Sequence, residues 1–129
     1  MATLFTKIIN GDIPSYKVGE NENFYAFLDI QPIQKGHVLC IPKKEEDYIF
    51  DLDDKTLADF IVFAKGIARK MDMVFDCNRI GMTVIGLEVP HAHIHLMPIN
   101  NIGDIDFNND KLNLAEGEMK DIAEQIRTA

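Results

Sequence analysis

The chain has 129 residues, 47% hydrophobic and 26% charged, a balance that suits one domain with its own buried core. Its net charge of −8 at pH 7 excludes broad nucleic-acid binding, which needs a basic footprint. One locally positive pocket for a small anion remains compatible with that charge.

The N-terminal stretch MATLFTKIINGDIP lacks the long apolar core of a secretory signal. Leu4 to Asn10 is apolar enough for a short helix, and Gly11-Asp12-Ile13-Pro14-Ser15 forces a turn. Tyr16 to Val18 and Phe24 to Asp29 read as two strands of a hairpin, with Gly19 to Asn23 between them. Ile30-Gln31-Pro32 breaks the second strand. A third, central strand follows Gly36 over His37 to Ile41 and stops at Pro42.

Asp53 or Asp54 can cap a long helix. Leu57, Phe60, Ile61, Ala64, Ile67, Ala68 and Met71 give it one apolar face, and Arg69 and Lys70 complement the dipole in its last turns. Arg79 to Ile85 is a fourth strand, Gly86 to Pro90 a loop, and His91 to Met97 a fifth strand closed by Pro98. Asn100 to Asn113 is polar and turn-rich. A last helix over Ala115 to Arg127 carries Met119, Ile122, Ala123 and Ile126 on one face. The sum is a single α+β domain over 1–129: a mainly antiparallel five-stranded sheet, one long helix and a C-terminal helix.

Cys40 and Cys77 form no Cys-x-x-Cys pair, so neither a disulfide framework nor a zinc ribbon is signalled. Both have apolar neighbours and are expected as buried free thiols. No run of about 18 apolar residues exists to span a bilayer. The expectation is a cytoplasmic protein with no membrane or nucleic-acid partner.

Chemistry concentrates in His91-Ala92-His93-Ile94-His95, which holds three of the four histidines. In a strand these imidazoles share one face, and Ala92, Ile94 and Leu96 point into the core. His91 and His95 would then lie roughly 13 Å apart along the strand. A zinc ion wants its nitrogens at about 2.0 Å, so one ion shared by all three needs a bent strand or other ligands. Phosphoryl chemistry fits an extended row better. A neutral imidazole is a good nucleophile, and its neighbours can donate to phosphate oxygens or to a leaving group.

The run HAHIHLMP resembles the signature of the histidine triad family of nucleotide hydrolases and transferases. Three further blocks resemble that family in the same order: Phe5 to Pro14, Tyr25 to Pro32, and Gly36 to Lys44. The resemblance implies that His93 attacks an α-phosphate, forming a nucleotidyl-histidine that water releases as a nucleoside monophosphate. His91 and His95 would orient the phosphate. It implies that Asp29 holds the ribose hydroxyls and that Phe5, Ile8, Ile13 and Phe27 line the base. Leu28, His37, Thr83 and Glu88 would complete the substrate site. No metal or other cofactor is implied, the partner is a small-molecule nucleotide, and the assembly is a homodimer. Phosphoramidates and dinucleoside polyphosphates are the substrate classes. A nucleotide sensor with little turnover and a metal-binding protein are the alternatives.

The approach to the triad departs from the family pattern. Thr83 stands where an Asn is usual, Leu87 replaces a Gln, and the loop is shorter. Glu88 replaces a hydroxyl that normally helps the phosphate, and Glu45 stands where a histidine is common. A carboxylate beside a phosphate repels it unless it is protonated, turned away or matched by a cation such as a lysine. Lys43 and Lys44 are expected in a solvated loop.

Overall fold

The computed structural model describes residues 2–129. Five strands form one antiparallel sheet: β1 (Lys17–Glu20), β2 (Phe24–Leu28), β3 (Val38–Pro42), β4 (Arg79–Thr83) and β5 (Ile94–Ile99), in spatial order β1-β2-β3-β5-β4. Three helices accompany it: α1 (Leu4–Ile9), α2 (Asp54–Val74) and α3 (Glu116–Arg127). The α+β class expected from the sequence is therefore the architecture found. No helix among the described residues is long and apolar enough to cross a membrane.

The central strands β2 and β3 are buried along their whole length, because the sheet is covered on both faces. On one face Phe24, Ala26, Leu28, Val38, Cys40, Ile94 and Leu96 meet Phe60, Ala64, Ile67 and Met71 of α2 and Met119, Ile122 and Ile126 of α3. On the other face Tyr25, Phe27, Leu39 and Ile41 meet Phe5 and Ile8 of α1. The period-two alternation sorts these residues between two cores, not between core and water. Phe24 stacks on Phe60 with ring centroids 5.2 Å apart, pinning β2 to α2. Asp53 caps α2 by accepting from the Thr56 backbone N–H at 2.7 Å.

The strand ends differ from the sequence expectation for identifiable reasons. β5 starts at Ile94, not His91, because the backbone before it bonds elsewhere: the Ala92 N–H donates to the Glu46 carbonyl and the His91 N–H to the Val89 carbonyl. Its end runs past Pro98, which sits opposite Ile80 of β4. Pairing with β3 has already ended at Val38–Leu96, so Pro98 is not called on for a donor there. β4 stops at Thr83, opposite His95, and Val84 and Ile85 have no partner because the chain facing them has left the sheet. β1 is displaced to Lys17–Glu20 by an irregularity between Lys17 and Gly19. β3 excludes His37 and includes Pro42, which faces Phe24. Cys40 is buried as expected, and burial pushes its thiol pKa up. Cys77 is not buried: it lies half exposed in the turn after α2, with Sγ donating to the Arg79 carbonyl.

Candidate active site

His37, which directly precedes β3, and the histidine run entering β5 meet on the α1 face of the sheet. All four histidines are buried. Ala92, Ile94 and Leu96 do point into the main core. Each imidazole has distinct partners, and those partners fix its proton.

His93 sits at the junction. Its Nδ1 lies 2.7 Å from the His91 carbonyl, which can only accept, so Nδ1 carries the proton. That leaves the Nε2 of a neutral His93 with a lone pair. The Phe5 ring holds the imidazole edge-on at a centroid distance of 5.1 Å.

His95 takes its tautomer through a relay. The Ile33 backbone N–H donates to His37 Nδ1 at 3.3 Å, so neutral His37 carries its proton on Nε2. That N–H donates to His95 Nδ1 at 2.9 Å. His95 is left with an Nε2–H donor. Burial lowers the pKa of His37 to about 4, with the charges of Lys111 and His93 adding to the effect. Burial likewise lowers His95 to about 3, with His37 next. Both rings are thus neutral at pH 7 and act as oriented dipoles, not as cations.

His91 is different. Its Nε2–H donates to the Pro42 carbonyl at 2.7 Å, and its Nδ1 pairs with the Thr3 hydroxyl at 2.8 Å. Burial lowers its pKa below the usual imidazole range. Thr3 also caps α1 by accepting from the Thr6 N–H, and Glu45 accepts from the Thr3 N–H at 2.6 Å and the Thr6 hydroxyl at 2.7 Å. The sequence expectation of a phosphate contact from the His91 imidazole does not match this arrangement, because both ring nitrogens are already bonded within the protein. The imidazole locks α1 to the end of β3, and what His91 offers the neighbouring histidine is its backbone carbonyl.

Two adjoining cavities share Asp29, Glu88, His93 and His95. The larger, about 360 Å³, is lined by Phe5, Ile8, Ile13, Phe27, Leu28 and Leu39 among others. The smaller, about 190 Å³, adds Ile85, Gly86, Leu87, Phe107 and Lys111. Asp29 stands at the boundary. Its Oδ1 accepts from the Gln31 N–H at 2.9 Å, and its Oδ2 lies 3.7 Å from His37 Nε2. A wider groove of about 720 Å³ between α3 and Ile13 to Lys17 contains no histidine, so size does not mark the histidine-lined space.

The structure therefore gathers Phe5, Ile8, Ile13, Phe27, Leu28, Asp29, Glu88, His93 and His95 around one space. His37 stands behind His95 and does not line either cavity. Thr83 is paired with His95 across the sheet and lines neither. Lys43 is paired with Glu20 at 2.7 Å, away from the site. Sequence reasoning missed Phe107 and Lys111, which come from the stretch expected to be only polar turns. Phe107 packs on His95 at 4.7 Å and on His37 at 6.0 Å. Its one visible signal was a lone aromatic in the polar run Asp104-Ile105-Asp106-Phe107-Asn108.

A metal reading has a concrete form here. Asp29, His37 and His95 each bring one ligand atom to within 4.8 Å of the others, a two-histidine, one-carboxylate set. His37 Nε2 and His95 Nδ1 already share a hydrogen bond, so an ion bound through these two nitrogens would have to displace its proton.

Residues 10–102 match the family model of the HIT domain. The adenosine 5′-monophosphoramidase of Saccharomyces cerevisiae is 40% identical over 98 residues, 75% of this chain and 62% of the yeast protein. An uncharacterized HIT-like protein of Borreliella burgdorferi is 34% identical over 131 residues, 95% of this chain and 94% of that one. Among solved structures, a HIT-like protein of Bartonella henselae superposes with a TM-score of 0.83 at 30% identity, covering 98% of this chain and 94% of the other.

Proposed function

From the premise that this chain belongs to the histidine triad family, we propose that it cleaves nucleoside 5′-phosphate derivatives, releasing a nucleoside monophosphate. The observation that carries this reading is the Nδ1–H bond of His93 to the His91 carbonyl, which leaves Nε2 as the nucleophile on a residue lining both cavities. The phosphoramidase activity of the yeast relative directs the reading to P–N bonds.

The apolar cavity takes the base, with Phe5, Ile8, Ile13 and Phe27 against it. The Asp29 carboxylate accepts from the ribose hydroxyls, held in aim by the Gln31 N–H. That places the 5′-phosphate beside His93. The Nε2 lone pair forms a bond to phosphorus as the bond from phosphorus to the leaving amine breaks. The released electron pair stays on that nitrogen, which gains a proton from solvent. The imidazole becomes cationic, and its Nδ1–H to the His91 carbonyl strengthens as the charge develops. His95 Nε2–H donates to a phosphoryl oxygen. Water then bonds to phosphorus, the P–Nε2 bond breaks with its electrons returning to the ring, and the water's proton is released.

Mass spectrometry of protein quenched during turnover of adenosine 5′-phosphoramidate should show a population heavier by one adenylyl group. His93→Ala should lose that adduct and at least about 10³-fold in turnover. A His93→Ala variant as active as the parent protein would end the proposal. Adenylated protein that releases no AMP would point instead to a nucleotide sensor.

The assembly reading is a homodimer. β4 is an edge strand whose Met82 is 53% exposed, and Val62 and Met73 of the adjoining α2 are also exposed. An unpaired edge beside exposed apolar side chains suits a second copy of the same sheet. Light scattering during size exclusion tests it, and a monomeric mass would overturn it.

A further inference from the structure

Glu45, which stands where a histidine is common, has no part in the hydrolase reading above. It follows β3 closely, is exposed, and lines neither cavity beside His93. Its Oε1 nevertheless collects two donors from the start of the chain: the Thr3 N–H at 2.6 Å and the Thr6 hydroxyl at 2.7 Å. The Thr6 hydroxyl and the Thr3 N–H hold the carboxyl below its ordinary pKa, so it is ionised at pH 7. The other protons of the cluster can be placed one by one. The Pro42 carbonyl can only accept, so His91 carries its proton on Nε2 and Nδ1 is left as an acceptor. The Thr3 hydroxyl therefore spends its one proton on His91 Nδ1 at 2.8 Å, while its oxygen accepts the Thr6 N–H at 3.1 Å. Hydrogen bonds thus run unbroken from Glu45 through Thr3 to His91 and Pro42.

The element so attached is α1, which has only six residues. A helix that short does not persist through its own hydrogen bonds. Its place is set by the burial of Phe5 and Ile8 and by its polar attachments. Thr3 and Thr6 flank Phe5 in sequence. The Phe5 ring meets His93 at 5.1 Å and His91 at 5.7 Å, and it lines the larger cavity. The residue after Glu45 has a second hold on the site. The Glu46 carbonyl accepts the Ala92 N–H at 2.6 Å, in the turn that carries the His91 carbonyl. That carbonyl sets the proton on His93 Nδ1. Two successive residues therefore tie down the two groups that bear on His93: the Phe5 ring from α1 and the His91 carbonyl from the turn.

We propose that Glu45 is a positioning residue for His93: its carboxylate holds Thr3 and Thr6, and through them it keeps Phe5 against the nucleophile and Thr3 on His91. This rests on the hydrolase reading of the same site. Glu45 touches no substrate in this role. It acts as an acceptor that fixes α1, and α1 fixes the aim and the tautomer of His93.

The test pairs turnover with a measurement that needs none. On adenosine 5′-phosphoramidate, Glu45→Ala should lower kcat/KM by about tenfold, the scale of a small misplacement of a reacting group. Glu45→Gln keeps an oxygen that can accept both donors and should recover kcat/KM to within about twofold of the parent protein. Thr3→Val should lose a factor similar to Glu45→Ala. The double variant should lose no more than the larger single loss, because both substitutions act on one chain of bonds. Imidazole nitrogen NMR without substrate reads the tautomers directly. Glu45→Ala should move His93 away from the Nδ1-protonated form, and Glu45→Gln should restore it. Parent-level turnover in Glu45→Ala, equal losses in the alanine and glutamine variants, or additive losses in the double variant would each overturn the positioning role and leave the hydrolase reading standing. A parent protein that cleaves no phosphoramidate would end the hydrolase reading instead. The ring-nitrogen signals would then still decide the positioning role, and a His93 tautomer unchanged in Glu45→Ala would overturn it.

Discussion

Replacing His37 with leucine should destabilise the protein by an amount that shrinks as the solution is acidified. His37 is buried, its Nδ1 accepts from the Ile33 N–H, and its Nε2–H donates to His95 Nδ1. Leucine fills similar space but leaves a buried donor at Ile33 and a buried acceptor at His95 unpaired, costing about 3 kcal/mol in neutral solution. The acid dependence follows from proton linkage. The folded pKa of His37, about 4, lies below the ordinary value of 6.5, so the unfolded chain binds the proton more readily. The stability tied to neutral His37 is complete above pH 6.5 and is lost as pH falls through the window from 6.5 to 4. At about 1.4 kcal/mol per pH unit, some ~2 kcal/mol of it is gone by pH 5. The leucine variant has no such group to titrate. Its deficit should therefore narrow from about 3 kcal/mol at pH 8 to about 1 kcal/mol at pH 5. Urea unfolding followed by circular dichroism at several pH values measures the gap. A gap that stays constant, or widens in acid, would refute a neutral buried His37 and with it the tautomer assigned to His95.

Two further substitutions examine the neighbouring contacts. Asp29→Ala should lower kcat/KM for a ribonucleoside phosphoramidate by about tenfold or more, and should affect a 2′,3′-dideoxy substrate far less; equal losses on both would remove the ribose role. Thr3→Val should leave His91 Nδ1 without its donor and cost about 1–3 kcal/mol in thermal or chemical unfolding. Unchanged stability there would show that the lock between α1 and β3 does not depend on His91.

Much of the fold was legible because its causes are local. Apolar spacing over Phe60, Ala64, Ile67 and Met71 marked α2, and Asp53 marked its start. Alternation placed Ala92, Ile94 and Leu96 in the core even though the first of them lies outside the strand. Asp29 and the apolar lining of the larger cavity were named from the family resemblance, and the fold brings them together with His93 and His95 around one space, while His91 stays outside it. Strand ends were read less well. Whether His91 to His93 and Val84 to Ile85 stay in the sheet depends on the Glu46 and Val89 carbonyls, which compete for backbone donors from outside it.

The sequence by itself determined the α+β class, the two helical faces and the presence of a histidine triad, since side-chain spacing and chemistry are written residue by residue. Only the tertiary structure decided what each imidazole does. His91 is bound by Thr3, 88 positions away, and His95 is oriented by His37, 58 positions away. Lys111 and Phe107 enter the site from a segment with no local periodicity. A ring nitrogen takes or gives a proton according to the group packed against it, and that group is set by the fold's long-range contacts, which local spacing does not specify.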